Sequence, residues 1–284
     1  MNLSVFYDHI IEAAEQSGKS VIEILRFCNE QGISAVEINF TQLIENRSSI
    51  CSALSNAKLD ISCIYEIFSF ENAQSEDDIV KAKKMLKVAS ELNVSKILIV
   101  PGALNPFVAA ELISCSDNYE HTEIFMNNNI GVQNICCSLN HICTLAKGYG
   151  ITVMLEDFDG FYQPFARTYP LLWFMKNVSG LRYALDTGNF AFSDEDVVFA
   201  AKILKDYIVH VHCKDRALNP NVNGKYCRGL APSPVGNGYI PIRELLTTLK
   251  ESGYNGYLAI EHFSAPTQLS FIEKSANFLK NLIK

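Results

Sequence analysis

The fold of this chain is decided by four segments of its sequence: ITVMLED (151–157), LRYALDTGN (181–189), IVHVHCKD (208–215) and YLAIEHF (257–263). Each is a short aliphatic or β-branched run bounded by glycine or charged residues, which predicts a buried strand. Each run ends with a side chain that can bind a metal, and these are Glu156, Asp186, His212 and Glu261. The carboxyl ends of the strands in a parallel α/β barrel converge on one face, so these side chains are predicted to meet around one point.

The remainder of the chain alternates between strand and helix patterns. Strands are predicted at 3–7, 34–40, 59–68, 96–102, 151–157, 181–187, 207–213 and 257–262. Helices are predicted at 20–31, 42–57, 76–93, 131–149, 171–178, 194–205, 241–253 and about 266–283. Longer loops are expected at 103–128, 159–170 and 216–240. Eight strand–helix units without an internal break predict an α/β fold, a (β/α)8 TIM barrel, with residues 1–284 in a single domain.

Size, composition and charge exclude several classes of protein. The chain has 284 residues, of which 48% are hydrophobic, so it can bury a large core. With a net charge of −7 it is a poor candidate for binding nucleic acid through its phosphates. No apolar run approaches the ~20 residues of a membrane span, and the amino terminus lacks the pattern of a signal peptide. The nine cysteines, an odd number without a CxxC pair, are expected to be free thiols in a reducing cytoplasm.

Three carboxylates and one imidazole form a ligand set that suits a hard to borderline divalent cation. We expect Mn²⁺ ahead of Mg²⁺, Co²⁺ or Zn²⁺. A carboxylate at a single strand end is commonly a solvated turn or a helix cap, and a lone buried histidine is commonly structural. The recurrence of such residues at four strand ends makes the metal site the preferred interpretation.

Four fragments resemble the sugar phosphate isomerase/epimerase superfamily of xylose isomerase-like TIM barrels: LEDF (155–158), LDTGN (185–189), HVHCKD (210–215) and VGNGYIPIRELLTTLKESGYNGYLAIEH (235–262). The resemblance covers essentially the whole chain and is most informative over 151–263. It implies a small carbohydrate substrate and a metal held by Glu156, Asp186, His212 and Glu261. The chain departs from the ketose epimerases at Asn189, where they carry a histidine, and at Tyr162, where they carry a glutamate.

Proton transfer between carbons next to a carbonyl requires a base, an acid and an electrophile for the developing oxyanion. Glu156 and Glu261 are the predicted base and acid, because the fifth and eighth strands place them to approach a bound sugar from different sides. Asp186 and His212 are then mainly structural ligands. Asp215 is the expected hydrogen-bond partner that holds His212 in one tautomer.

Further residues near these strand ends are predicted to contact the substrate: Asn189, Lys214, Arg216, Glu66 and His9. For Glu66 and His9 a purely structural role is the alternative. His210 lies one pleat deeper than the predicted ligand on the same strand, so it is expected to pack or hydrogen-bond inside the barrel.

The leading functional prediction is a metal-dependent isomerase or epimerase of a small sugar, sugar phosphate or related hydroxy-ketone. The first alternative is an inosose-type dehydratase. In that reaction the enediolate formed by proton removal expels a β-hydroxyl group instead of being reprotonated. An AP endonuclease ranks lower, since it needs more metal ligands and a basic groove, and the chain has six histidines and a net charge of −7. A barrel without catalytic activity ranks last. The sequence leaves open a homodimer or a homotetramer, with no membrane partner.

Overall fold

The eight predicted strands pair side by side into a closed and wholly parallel barrel. The structure is a computed structural model that describes residues 1–72, 75–160, 162–220 and 225–283. The barrel strands are Asn2–Phe6 (β1), Ile33–Asn39 (β2), Asp60–Ile67 (β3), Lys96–Val100 (β4), Thr152–Glu156 (β5), Arg182–Asp186 (β6), Ile208–Cys213 (β7) and Tyr257–Ile260 (β10). Their order around the barrel is β1-β10-β7-β6-β5-β4-β3-β2. The predicted TIM barrel is therefore confirmed.

Helices cover the outside of this barrel. They are Tyr7–Ser17 (α1), Val21–Glu30 (α2), Phe40–Glu45 (α3), Arg47–Ala57 (α4), Glu76–Glu91 (α5), Pro106–Cys115 (α6), Tyr119–Asn128 (α7), Ile130–Lys147 (α8), Thr168–Asn177 (α9), Val197–Leu204 (α10), Ile242–Glu251 (α11) and Gln268–Ile283 (α12). Helix α11 shows how they pack, because its apolar residues recur at helical spacing. The buried ones are Ile242, Leu245, Leu246 and Leu249.

Two hydrophobic clusters form the core. The larger one fills the layer between the barrel and its helices. A small one lines the barrel interior, where Cys63, Leu98, Met154 and Ala184 are all buried. Within the described ranges, none of the helices has the length and apolar composition that a membrane span requires.

The expectation of an irregular loop over 103–128 is wrong, because this segment forms helices α6 and α7. Each helix begins with an asparagine side chain that caps it. Asn105 accepts a hydrogen bond from the backbone N–H of Phe107 at 3.0 Å, and Asn118 accepts one from His121 at 2.9 Å. Pro106 occupies the first turn of α6, where a proline is tolerated. The polar residues that suggested a loop are in part these caps.

The expectation of a loop over 216–240 is wrong in part. Residues Asp215–Pro220 (β8) and Tyr226–Ser233 (β9) form an antiparallel ribbon outside the barrel, with Leu218 opposite Arg228. Most side chains in the ribbon are exposed or half-buried, so the sequence carries no hydrophobic alternation that would predict it. Residues 221–224, between the strands, lie outside the described part of the chain, as does residue 161 of the expected loop at 159–170.

The segment after the ribbon is organised around the buried carboxylate of Asp215. Its two oxygens accept hydrogen bonds from the backbone N–H groups of Gly236 at 2.8 Å, Gly238 at 2.9 Å and Ile240 at 3.1 Å. Because these amides converge on one side chain, the backbone of residues 236–240 lies directly against it. A Cβ atom on Gly238 would lie only 2.2 Å from Asp215 Oδ1.

We therefore expect Gly238→Ala to destabilise the fold by about 1–3 kcal/mol, since the added methyl group displaces either the carboxylate or the backbone around it. Chemical denaturation measures this loss. The matched control is Gly148→Ala at the end of α8, where φ is −66° and the nearest atom to a new Cβ lies at 3.5 Å. That control should be neutral or slightly stabilising. Equal denaturation midpoints for both variants would contradict the described packing.

Candidate metal centre

The structure brings the four side chains at the predicted strand ends together. Glu156 and Asp186 are the last residues of β5 and β6, His212 lies in β7 beside Asp186, and Glu261 directly follows β10. One ligand atom from each residue lies within 4.8 Å of those of the other three, and all four side chains are buried. Parallel pairing of neighbouring strands thus creates the cluster.

Ion pairs connect the members of this cluster. His212 Nδ1 lies 2.8 Å from Glu156 Oε1 and 3.3 Å from Glu261 Oε2. The ammonium of Lys214 lies 2.6 Å from Glu261 Oε1 and 3.1 Å from Asp186 Oδ2. One lysine and one histidine therefore lie against the three buried carboxylates.

Hydrogen bonds to backbone groups orient the aspartate. Asp186 Oδ1 accepts from the N–H groups of Gly188 at 2.7 Å and Asn189 at 2.9 Å, which leaves Oδ2 for the cluster. The backbone N–H of Asp186 donates to Asp157 Oδ1 at 2.8 Å, and the Tyr183 hydroxyl donates to the same oxygen at 2.6 Å. Asp157 thereby fixes the end of β6 from the neighbouring strand.

Burial and the neighbouring charges shift the pKa values of these groups. Burial raises the pKa of the Glu261 carboxyl well above its usual range, although the Lys214 ammonium opposes this shift. Burial would also raise the pKa of Asp186, but the cations of Lys214 and His212 outweigh it and hold that pKa below its usual value. Burial disfavours the imidazolium form of His212, yet the carboxylates around its ring raise its pKa well above the usual value. The protonation of the three carboxyls is therefore coupled to the charges of Lys214 and His212.

The donor set fits a divalent cation. Asp186 Oδ2 and Glu261 Oε2 are buried, and among the described residues neither accepts a hydrogen bond of good geometry. Their close partners are cluster members, the Lys214 ammonium at 3.1 Å and His212 Nδ1 at 3.3 Å. Both oxygens therefore point into the cluster, where a bound cation would replace these contacts. Two ligands on opposite sides of a cation bound at about 2.1 Å are about 4.2 Å apart, and the ligand atoms of this cluster all lie within 4.8 Å of one another.

The hydrogen-bond partner of His212 differs from the predicted one. The expectation for Asp215 is wrong, because its carboxylate accepts from backbone N–H groups instead. His212 Nε2 lies 3.2 Å from Glu37 Oε1, and His210 Nε2 lies 2.8 Å from Glu37 Oε2. The prediction that His210 hydrogen-bonds inside the barrel is thus confirmed.

Three of the predicted substrate contacts lie at the cluster. Lys214 Nζ donates to Asn189 Oδ1 at 2.8 Å, in addition to its two carboxylate partners. The guanidinium of Arg216 donates to the backbone oxygens of Gly188 at 3.1 Å and Leu230 at 2.8 Å. Arg216 therefore ties the β8–β9 ribbon to the loop after β6, while Asn189 and Lys214 lie beside the ligand atoms.

The other two predicted substrate contacts have partners elsewhere. The Glu66 carboxylate accepts hydrogen bonds from the Thr41 hydroxyl at 2.6 Å and from the Thr41 backbone N–H at 3.1 Å. His9 is fully buried, and its Nε2 accepts from the backbone N–H of His262 at 2.9 Å. The structure does not join Glu66 or His9 to the cluster, and a contact from either to substrate stays a prediction.

Two buried carboxylates next to the centre had a weak signal in the sequence. Asp157 directly follows a predicted ligand, so its role could have been suspected from the adjacent acids in LED. Glu37 lies two residues before the end of β2 in the run AVEIN, but nothing in that run indicates a histidine partner across the barrel. Such a partner follows only from closure of the barrel.

Comparisons with known proteins agree with this architecture. A family model described as a xylose isomerase-like TIM barrel matches residues 11–282. An inosose dehydratase from Lactiplantibacillus plantarum is 29% identical over 153 residues, which are 49% of this chain and 49% of that protein. The chain spans about half the length of the curated relatives that it matches.

Solved structures show the same fold across nearly the whole chain. The probable 3-DHS dehydratase AsbF from Bacillus anthracis superposes with a TM-score of 0.71 at 18% identity, covering 99% of both chains. A D-allulose 3-epimerase from Methylomonas sp. gives a TM-score of 0.71 at 14% identity, covering 99% of this chain and 97% of the other. At such identities the likeness shows the fold alone. The family match, which spans nearly the whole chain, shows that the protein belongs to the xylose isomerase-like TIM barrel family.

Proposed function

We propose that this protein is a divalent-metal-dependent enzyme that transfers a proton at the carbon next to the carbonyl of a small sugar, sugar phosphate or related hydroxy-ketone. The observation that carries the proposal is the cluster of three carboxylates and one imidazole, buried together at the carboxyl ends of the barrel strands. This face of the barrel is the one that holds the active site in this kind of fold. An isomerase or epimerase is the leading form of the proposal.

The metal would be held by Glu156, Asp186, His212 and Glu261. We propose Mn²⁺, with Mg²⁺, Co²⁺ and Zn²⁺ as alternatives that the same donors accept. When bound, the ion supplies a Lewis acid that polarises a carbonyl and acidifies the neighbouring C–H bond. The buried oxygens Asp186 Oδ2 and Glu261 Oε2 support this assignment, because neither accepts a hydrogen bond of good geometry and each faces another member of the cluster.

Two glutamates would move the proton. Glu156 comes from β5 and Glu261 from the end of β10, and β6 and β7 lie between these strands in the barrel. They therefore approach the centre from different directions, as an epimerase requires when it removes a proton from one face of a carbon and returns it to the other. Lys214 and Asn189 lie beside them and would orient the substrate oxygens.

A dehydratase is the second candidate, and the curated inosose dehydratases that match half of this chain favour it. Its reaction begins with the same proton removal and ends with loss of a β-hydroxyl group. One set of side chains serves both outcomes, so the site does not separate them. An AP endonuclease is disfavoured by the net charge of −7, which opposes binding to a phosphate backbone.

The contacts of Lys214 generate a prediction about metal affinity. Its ammonium lies against Glu261 Oε1 and Asp186 Oδ2, so it competes with a metal for the same carboxylates. Lys214→Met should tighten Mn²⁺ binding by about tenfold, which corresponds to about 1.4 kcal/mol. The metal-free variant should also melt at a lower temperature, because a buried ion pair loses one partner. Calorimetric titration of chelator-treated protein and thermal melts measure the two effects.

The matched control for that experiment is Lys96→Met. Lys96 lies at the other end of the barrel strands and donates to the backbone oxygen of Val209 at 2.7 Å. Its removal should leave Mn²⁺ affinity unchanged. If Lys214→Met binds Mn²⁺ more weakly than the control, Lys214 does not compete with the metal for the carboxylates. Lys214 would then stabilise the metal site.

The reaction class is tested by turnover in D₂O. Ketoses, inososes and sugar phosphates are supplied with Mn²⁺, and products are identified by NMR and mass spectrometry. An isomerase or epimerase should place deuterium next to the carbonyl, whereas a dehydratase should release a product lighter by one water. Glu156→Gln and Glu261→Gln should each lower turnover by about 10²–10⁴-fold, since each loses a proton-transfer group.

The surface variant Glu273→Gln, on the exposed side of α12, serves as the control and should retain full turnover. Full activity in either active-site variant would remove that glutamate from proton transfer. Cleavage of abasic DNA, with no product from any carbohydrate in the panel, would overturn the proposed reaction in favour of the nuclease.

A further inference from the structure

A buried carboxylate lies behind the candidate metal centre, on the opposite side of the His212 ring. Glu37 is in β2, where its backbone is paired with Phe6 of β1 and Cys63 of β3. Its side chain is 0% exposed, and it crosses the barrel interior to reach β7. A carboxylate in such a place must be hydrogen-bonded, because an unpaired buried charge is strongly destabilising.

Two imidazoles satisfy this carboxylate. His210 Nε2 lies 2.8 Å from Oε2 of Glu37, and His212 Nε2 lies 3.2 Å from Oε1. The two rings are almost perpendicular, at 87°, so each approaches a different oxygen. A carboxylate only accepts hydrogen bonds, and therefore both Nε2 atoms carry their protons.

These hydrogen bonds fix the orientation of the His212 ring. With Nε2 committed to Glu37, the nitrogen that faces Glu156 and Glu261 is Nδ1, at 2.8 Å and 3.3 Å. In this structure Nδ1 faces carboxylates, so by the same reasoning it also carries a proton and the ring is a cation. A bound metal would replace the proton on Nδ1, and the proton on Nε2 would stay with Glu37. We infer that Glu37 is a positioning residue that presents Nδ1 of His212 to the metal, an inference that rests on the proposed metal centre.

His210 has a defined part in this arrangement. It occupies the second oxygen of Glu37, so the carboxylate is held from two sides and cannot rotate away from His212. Glu37 itself touches the four ligands only through the His212 ring. It forms with His210 and His212 a second group of close side chains, which shares His212 with the four that form the metal centre. For this reason Glu37 acts on the metal through His212.

The test is Glu37→Gln, because an amide has the same shape and only one accepting oxygen. One imidazole must then face the NH₂ group, which disfavours a proton on its Nε2. We expect Zn²⁺ affinity to fall by about 10–100-fold, the usual effect of losing such a partner of a metal-binding histidine. Calorimetric titration with Zn²⁺ measures the affinity. In the diamagnetic Zn²⁺ form, ¹⁵N NMR of the wild type should show His212 with its proton on Nε2 and its Nδ1 metal-bound.

Two further variants separate positioning from stability. Asp215→Asn removes another buried carboxylate, one that contacts backbone N–H groups and not His212. It should lower the melting temperature while leaving the His212 signature and Zn²⁺ affinity intact. Glu37→Asp keeps two accepting oxygens and should recover part of the affinity lost in Glu37→Gln.

The outcomes distinguish this inference from the proposed function. Failure of the wild type to bind Zn²⁺ would overturn the metal centre, and the inference with it. Zn²⁺ binding that is equally tight in wild type and Glu37→Gln, with the same ¹⁵N signature for His212, would overturn the role of Glu37 alone.

Discussion

Three carboxylates buried around a single point are the constraint on which the rest of the structure depends. Like charges repel strongly in a poorly solvated site, so the three can be buried together only beside compensating cations. Lys214 and His212 supply this charge, and the surrounding network holds both in place. Thr187 exchanges hydrogen bonds with the Lys214 backbone, and Glu37 accepts from His212 on the side away from the cluster. The site is thus built from interdependent contacts.

The barrel and its four convergent side chains could be predicted from the sequence because both follow from local patterns. A buried strand appears as an apolar run, and a polar residue at its end stands out against that run. In a parallel barrel every strand ends on the same face, so local position along each strand is enough to bring the four side chains to that face. The prediction needed no knowledge of which strands are neighbours.

Features that depend on contacts across the structure could not be predicted in this way. Asp215 stands three residues from His212 in the chain and was the natural choice of partner, yet its carboxylate organises the turn at 236–240. The true partner is Glu37, more than 170 residues away, which becomes adjacent only when the barrel closes. The β8–β9 ribbon cannot be predicted from the sequence for a related reason. Its strands are held by backbone pairing and by Arg216, and most of its side chains face solvent, so no hydrophobic period marks it.

The central claim is that one divalent ion sits among these four side chains, and anomalous diffraction tests it most directly. Crystals soaked in Mn²⁺ are measured at a wavelength where manganese scatters anomalously. We predict a single strong peak bounded by Glu156, Asp186, His212 Nδ1 and Glu261, with the Lys214 ammonium moved away from the carboxylates. A map without a peak at this position, or with its peak among Glu37, His210 and His212, would contradict the account.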